Sequence, residues 1–325
     1  MSPGPLFTAA WLLVALVSSF AQAETERSAE SAEVTILSSN LANGPTIGEW
    51  GFSALVEVDG SCLLFDTGNY PDTVLRNIQV LGLDLSCVTD VVLSHWHPDH
   101  MGGLVTLFED TRARSPDSIQ RVHVAEGFFL PRRLAAKPEQ GEINQMIDIR
   151  DRLANKGVEF RIYSEATEIL PSVWVTGPIE RNHEEKTYPH FAEVHEGESW
   201  KTDYVPDSQG LVVVTDEGPI VLLGCGHSGS VNLLEQVQRE IQDDSIHALM
   251  GGMHLFSADD ATLRWTADKL NDVGIEHLMA GHCTGVEPMF RLREGLDLDR
   301  QTAVMGAVGS RFVLGEGIHP TAIAQ

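Results

Sequence analysis

Fourteen residues constrain this chain more than any others: Val-Val-Leu-Ser-His-Trp-His-Pro-Asp-His-Met-Gly-Gly-Leu, residues 91–104. The apolar, β-branched run ending at Leu93 reads as a buried strand. Pro98 presets φ for a first helical position, and Asp99 adds an acid in the first turn, so a helix is predicted to begin there. Between strand and helix, His95, His97, Asp99 and His100 fall within six residues. A strand-to-helix turn lets such neighbours converge, and imidazoles with a carboxylate suit zinc or another borderline first-row metal.

The flanking chain sets the context for that turn. Residues 6–20 form an apolar core followed by Ala21-Gln22-Ala23, the small-x-small pattern of a cleaved signal peptide. The mature protein is therefore expected to be exported, periplasmic or secreted, with no integral membrane span after signal cleavage. Residues 24–33, rich in Glu, Ser and Ala, read as a solvated linker. The formal charge of −25 over 325 residues leaves no extended basic face, which excludes nucleic acid as a partner and points to a small-molecule substrate. Four cysteines match no small disulfide framework. Cys62 and Cys87 read as free or packed thiols, and Cys225 and Cys283 as thiols near a metal.

From residue 34 to 318 one domain is predicted. Hairpins are expected at 52–65, turning on Asp59-Gly60, and at 211–223, turning on Glu217-Gly218. Strands are expected at 34–37, 88–93, 120–125, 158–163, 168–176, 246–250 and 275–279. Helical spacing marks 71–81, 142–155, 231–241, 260–272 and 286–294. Residues 177–207 read as a long polar loop insertion carrying His183, His190, His195, Trp200 and Tyr204, placed as a lid over a pocket. Arg132, Arg133 and Arg181 read as solvated surface arginines. The class is α/β, with mixed sheets covered by helices.

Two later turns repeat the pattern of a strand running into potential ligands: Gly224-Cys225-Gly226-His227-Ser228-Gly229 and Gly281-His282-Cys283-Thr284-Gly285. Together with His95-x-His97-x-Asp99-His100 and Asp66-Thr67-Gly68, they make the chain resemble the metallo-β-lactamase superfamily. The strings GCGHSG, GGMHL and GHCTG resemble its branch containing the dihydropterin–aminobenzene-phosphate synthases. The resemblance implies an αββα sandwich of two mixed β-sheets flanked by helices, with metals in a cleft at one edge. It implies His95 and His97 as ligands of a first metal, Asp99, His100 and His282 of a second, and Asp66 as an acid beneath them.

This sequence departs from the family pattern twice. Thr176-Gly177-Pro178 stands where a third-segment histidine is usual, so His227 is expected to replace it. Cys225 stands in place of the usual bridging aspartate, so a thiolate ligand is expected there. The implied cofactor is zinc, as one or two ions, with manganese(II) or iron(II) as alternatives. Asp99 is expected to orient the nucleophile, and His254 to meet substrate as a positioned acid or to hydrogen-bond at its strand end. The expected activity is hydrolysis of a small-molecule ester, lactone or phosphoester by metal-bound hydroxide. The alternatives are a synthase or transferase like the named branch, or a metal-holding sensor with little turnover. Export favours the hydrolase, because the branch's synthesis needs cytosolic phosphorylated precursors.

Overall fold

A computed structural model describes Met1, Gly4 and residues 27–185 and 187–325. The expected signal segment, apart from Met1 and Gly4, lies outside the described residues. Among the described residues no helix is long and apolar enough to cross a membrane.

Two sheets stack face to face. The first has eight strands, in the spatial order Gly317–His319, Arg311–Val313, Ala32–Ser38, Ser53–Val58, Ser61–Phe65, Val88–Val92, Arg121–Ala125 and Glu159–Tyr163. The second has seven: Ala303–Met305, His277–Ala280, Ala248–Gly251, Ile220–Leu223, Gly210–Val213, Val173–Val175 and Thr167–Leu170.

Side-chain alternation explains the stacking. Val34, Ile36, Ala54, Val56, Leu63 and Phe65 point inward and meet Leu211, Val213, Ile220, Leu222, Ala248 and Met250 of the opposite sheet. Their neighbours Leu37, Leu55 and Leu64 point outward against Val74 and Ile78 of helix Thr73–Leu81 and Leu104 and Leu107 of helix Leu104–Arg114. On the far side Val221, Leu249 and Leu278 meet helices Ser230–Glu240, Asp260–Val273 and Val286–Gly295. Both faces of each sheet are covered, which is why the central strands read as continuous apolar runs. Each such side chain taken fully out of water contributes roughly 1.5–3 kcal/mol. Helix ends follow local chemistry: Gly82 closes Thr73–Leu81 at φ 69°, and the Asp259 carboxylate accepts from the Thr262 N–H at 2.8 Å.

Several expectations are corrected. Residues 168–176 are a hairpin rather than one strand, turning at Ser172 with φ 63°. The 177–207 segment is not simply a loop: Ala192–Glu196 and Ser199–Thr202 pair, and with Arg132–Leu134 they form a third sheet. Part of the expected linker is ordered, since the Ala29 N–H donates to the Val214 carbonyl at 2.8 Å and strand Ala32–Ser38 begins three residues later.

Cys62 and Cys87 are not thiols but a disulfide. Cys62 sits opposite Val88 in the parallel ladder, which brings the preceding Cys87 alongside at a Cα–Cα distance of 5.7 Å. Arg132 is not a surface arginine. It is fully buried, ion-paired to Asp203 and Asp207, with its guanidinium 4.8 Å above the Trp96 ring.

Candidate metal centre

The ligand-bearing turns gather at the carboxyl ends of strands Ser61–Phe65, Val88–Val92, Ile220–Leu223, Ala248–Gly251 and His277–Ala280. The 91–104 turn is pinned from both sides. Ser94 N–H donates to Asp66 Oδ1 at 2.7 Å, and Trp96 N–H donates to Asp207 Oδ2 at 2.8 Å. Pro98 opens a helix, as its ring predicts, but that helix is only Pro98–Met101, and Leu104–Arg114 starts anew. Gly102 sits at the break because the Asn69 carbonyl lies 1.8 Å from where a Cβ would stand.

Three histidines form a first set. His97 Nδ1 lies 2.9 Å from His95 Nε2 and 3.1 Å from His227 Nε2. The outer nitrogens settle the tautomers. The Thr187 carbonyl can only accept, so His227 Nδ1, 2.6 Å away, is its donor. Ser94 Oγ donates to Asp66 Oδ2 at 2.7 Å and so accepts from His95 Nδ1 at 2.9 Å. Two lone pairs therefore face His97 Nδ1, which can offer a proton to one of them at most. A cation satisfies all three, and the spacings approach the roughly 3.3 Å edge of a tetrahedron with zinc–nitrogen bonds of about 2.0 Å. Burial, reinforced by neighbouring rings, pushes His95 and His227 well below the usual imidazole range. It takes His97 down to about 3, so the set is neutral and ready to ligate.

A second set adjoins it. Cys225 Sγ lies 3.1 Å from His100 Nε2 and 3.2 Å from His282 Nε2. Asp99 Oδ2 is 3.3 Å from His282 Nε2 and 3.6 Å from His100 Nε2. Behind them Asp66 accepts from His100 Nδ1 at 2.6 Å, the carboxylate–histidine pairing typical of metal ligands. Burial opposes the charge on His100, but Asp66 and Asp99 outweigh it and raise His100 to about 9. Burial likewise opposes ionisation of Asp99, yet His100 and the His282 hydrogen bond hold it well below the usual carboxylate range. Asp66, His254 and His282 all have positive φ, backbone strain of a kind that functional sites retain.

Every ligand predicted from the sequence thus falls in one of two clusters: His95, His97 and His227, or Asp99, His100, Cys225 and His282. His254 stands beside them, its ring centroid 4.6 Å from that of His227. His183 pairs with Glu235, and His195 packs on Trp200; neither belongs to the clusters. Both ligand sets open on a cleft of about 290 Å³ whose walls include Trp50, Asn69, Phe191 and His254. A second cavity of about 810 Å³, lined by Thr187, Asp259 and Trp265 among others, shares the His254 wall.

Sequence reasoning missed Trp50 and Phe191 as cleft walls, and Thr187 and Asp207 as anchors. Thr187, Phe191 and Asp207 lay inside the suspected lid, but nothing in the sequence singled them out. They and Trp50 act through a ring edge, a main-chain carbonyl or a distant backbone contact, none of which leaves a spacing pattern.

A model of the metallo-beta-lactamase superfamily matches residues 51–151, the part that carries four of the seven ligands. Over that segment the chain is similar to this superfamily. It is 27% identical over 271 residues to the 7,8-dihydropterin-6-methyl-4-(beta-D-ribofuranosyl)-aminobenzene-5'-phosphate synthase of Methanocaldococcus jannaschii, covering 79% of this chain and 89% of that protein. It is 28% identical over 270 residues to an uncharacterized protein of the same organism, covering 80% and 94%. Among solved structures, a metal-dependent hydrolase of the beta-lactamase superfamily superposes with a TM-score of 0.67 at 26% identity, over 81% of this chain and 93% of that one. The superposition, over 81% of the chain, extends the metallo-β-lactamase fold well beyond the 51–151 segment.

Proposed function

We propose that this metallo-β-lactamase superfamily protein is an exported, zinc-dependent hydrolase of a small-molecule ester, lactone or phosphoester. The observation that carries the reading is the pair of adjacent ligand clusters opening on one cleft. The structural relative described as a metal-dependent hydrolase supports it. The Cys62–Cys87 disulfide supports an oxidising compartment.

A bound divalent metal supplies Lewis acidity and an acidified water. The chain's own residues do the rest. Asp99, whose side chain is 16% exposed, faces the cleft from among otherwise enclosed ligands. Being held ionised, it accepts a proton from the attacking water and passes it to the leaving group. Trp50 and Phe191 wall the cleft, shed water and hold the apolar part of the substrate. A substrate that spans both cavities meets His254 on their shared wall.

A second reading is a transferase or synthase. It is favoured by the 27% identity to a synthase across 79% of the chain, and by two neighbouring cavities that could seat two reactants.

The test adds zinc to apoprotein and assays aryl esters, lactones and phosphodiesters. Turnover of at least one, abolished by chelation and restored by zinc, is expected. Full metal occupancy with no turnover on any of them overturns the hydrolase.

A further inference from the structure

Beside the second ligand set lie two donors that it does not use, His254 and Cys283, next to one that it does, Cys225. Cys225, His254 and Cys283 each offer one ligand atom within 4.8 Å of the others. Both cysteines are buried and free of disulfide bonds. The His254 backbone N–H donates to Cys283 Sγ at 3.3 Å, which ties the sulfur to the strand end that carries His254. His254 Nδ1 is buried and has no hydrogen-bond partner among the described residues, which is costly unless something else satisfies it.

The local backbone is shaped around this group. His254 is held at φ 49°, an unfavourable conformation for a side chain of this size. Two residues earlier, a Cβ on Gly252 would come within 2.5 Å of the Gly224 carbonyl and 2.7 Å of Cys283 Sγ, so glycine there clears both the backbone and the sulfur. An orphaned nitrogen, a strained residue and a glycine cradle converge on two sulfurs. Backbone packing accounts for the glycine but leaves the orphaned nitrogen unexplained.

We propose that Cys225, His254 and Cys283 form a third cation site, sharing the Cys225 thiolate with the second set. Two sulfurs and one imidazole select a soft or borderline ion: zinc(II), cadmium(II) or copper(I). Loading releases the thiol protons to solvent, leaving Cys225 as a sulfur bridge between two ions. His254 then acts as a ligand, rather than as the proton donor suggested by its sequence position. The site depends only on these three side chains and their surroundings, so it stands whether the protein hydrolyses or synthesises.

Cadmium alone is the probe, titrated into apoprotein under anaerobic conditions with the Cys62–Cys87 disulfide intact. Equivalents are counted by calorimetry, and sulfur ligation is read from thiolate-to-cadmium absorption. Wild type is expected to take three equivalents. Cys283→Ser is expected to take two and to lose about half or more of the absorption. His254→Ala should keep the two tight equivalents, with the third weakened at least tenfold. Thermal melting of each loaded variant checks the fold, and His254→Ala decides the matter if Cys283→Ser does not fold. Saturation of wild type at two equivalents, or unchanged stoichiometry and absorption in the variants, overturns the third site.

Discussion

The two principal ligand sets share one sheet edge and several neighbours, yet they are electrostatic opposites. His95, His97 and His227 present three neutral nitrogens, with outer contacts to a serine hydroxyl and a main-chain carbonyl. Asp99, His100, Cys225 and His282 carry a carboxylate and a thiol, with the Asp66 carboxylate directly behind. Burial acts on both. In the first set burial outweighs the opposing pull of Asp99, and His97 falls to about 3. In the second, two carboxylates overcome it, and His100 rises to about 9. The first set is thus ready for metal without releasing protons, whereas the second must shed protons from His100 and Cys225. The first should fill earlier and hold its ion over a wider pH range.

The largest effect that separates the sets comes from removing the nitrogen at the centre of the first. His97→Ala is expected to weaken metal binding there by more than the roughly 100-fold that loss of an outer partner costs, while the second set keeps its ion. Metal content after dialysis measures this; full occupancy of both sites in the variant would break the assignment of His97. Asp66→Asn is the next largest. Asp66 bonds His100 directly but reaches His95 only through Ser94 Oγ. Affinity should fall about 10–100-fold at the second set and by less at the first, as read by competition with a chromophoric chelator. An equal loss at both would show that the two sets form one unit.

How much of this was legible in the sequence follows from range. The 91–104 turn was readable because its ligands are neighbours in the chain and Pro98 punctuates them. His227 and His282 were readable because each follows a strand and sits among glycines. The sandwich was readable through the apolar strands and through the resemblance that the ligand-bearing motifs carried. What sequence reasoning lost was either short or long-range. Arg311–Val313 and Gly317–His319, three residues each, are too brief for periodicity to register. The Cys62–Cys87 bond depends on which strands pair in parallel, and that pairing follows from topology rather than spacing. Its closed loop spans a sequence separation of 25, which in the chain-entropy model stabilises the fold by roughly 3.5 kcal/mol. Arg132 looked solvated because both its carboxylate partners lie more than seventy residues away.

The pH dependence of affinity is the finest discriminator between the sets. Below pH 9 the apoprotein holds protons on His100 and Cys225 that the second ion must displace, so affinity there should rise about a hundredfold per pH unit from 6.5 toward 9. Affinity at the first set should stay nearly flat over the same range, because His97 is deprotonated far below it. The linked stability has the opposite sign. A histidine raised from 6.5 to about 9 stabilises the folded apoprotein fully below pH 6.5, and that contribution is lost as pH rises through 9. Zinc-binding calorimetry and thermal melts of apoprotein at pH 6.5, 7.5 and 8.5 read both quantities. Asp66→Asn removes the first-named source of the raised value, so it should flatten the slope at the second set as well as weaken its affinity. A slope that stays at about a hundredfold per pH unit in Asp66→Asn would show that His100 is not one of the two proton sources.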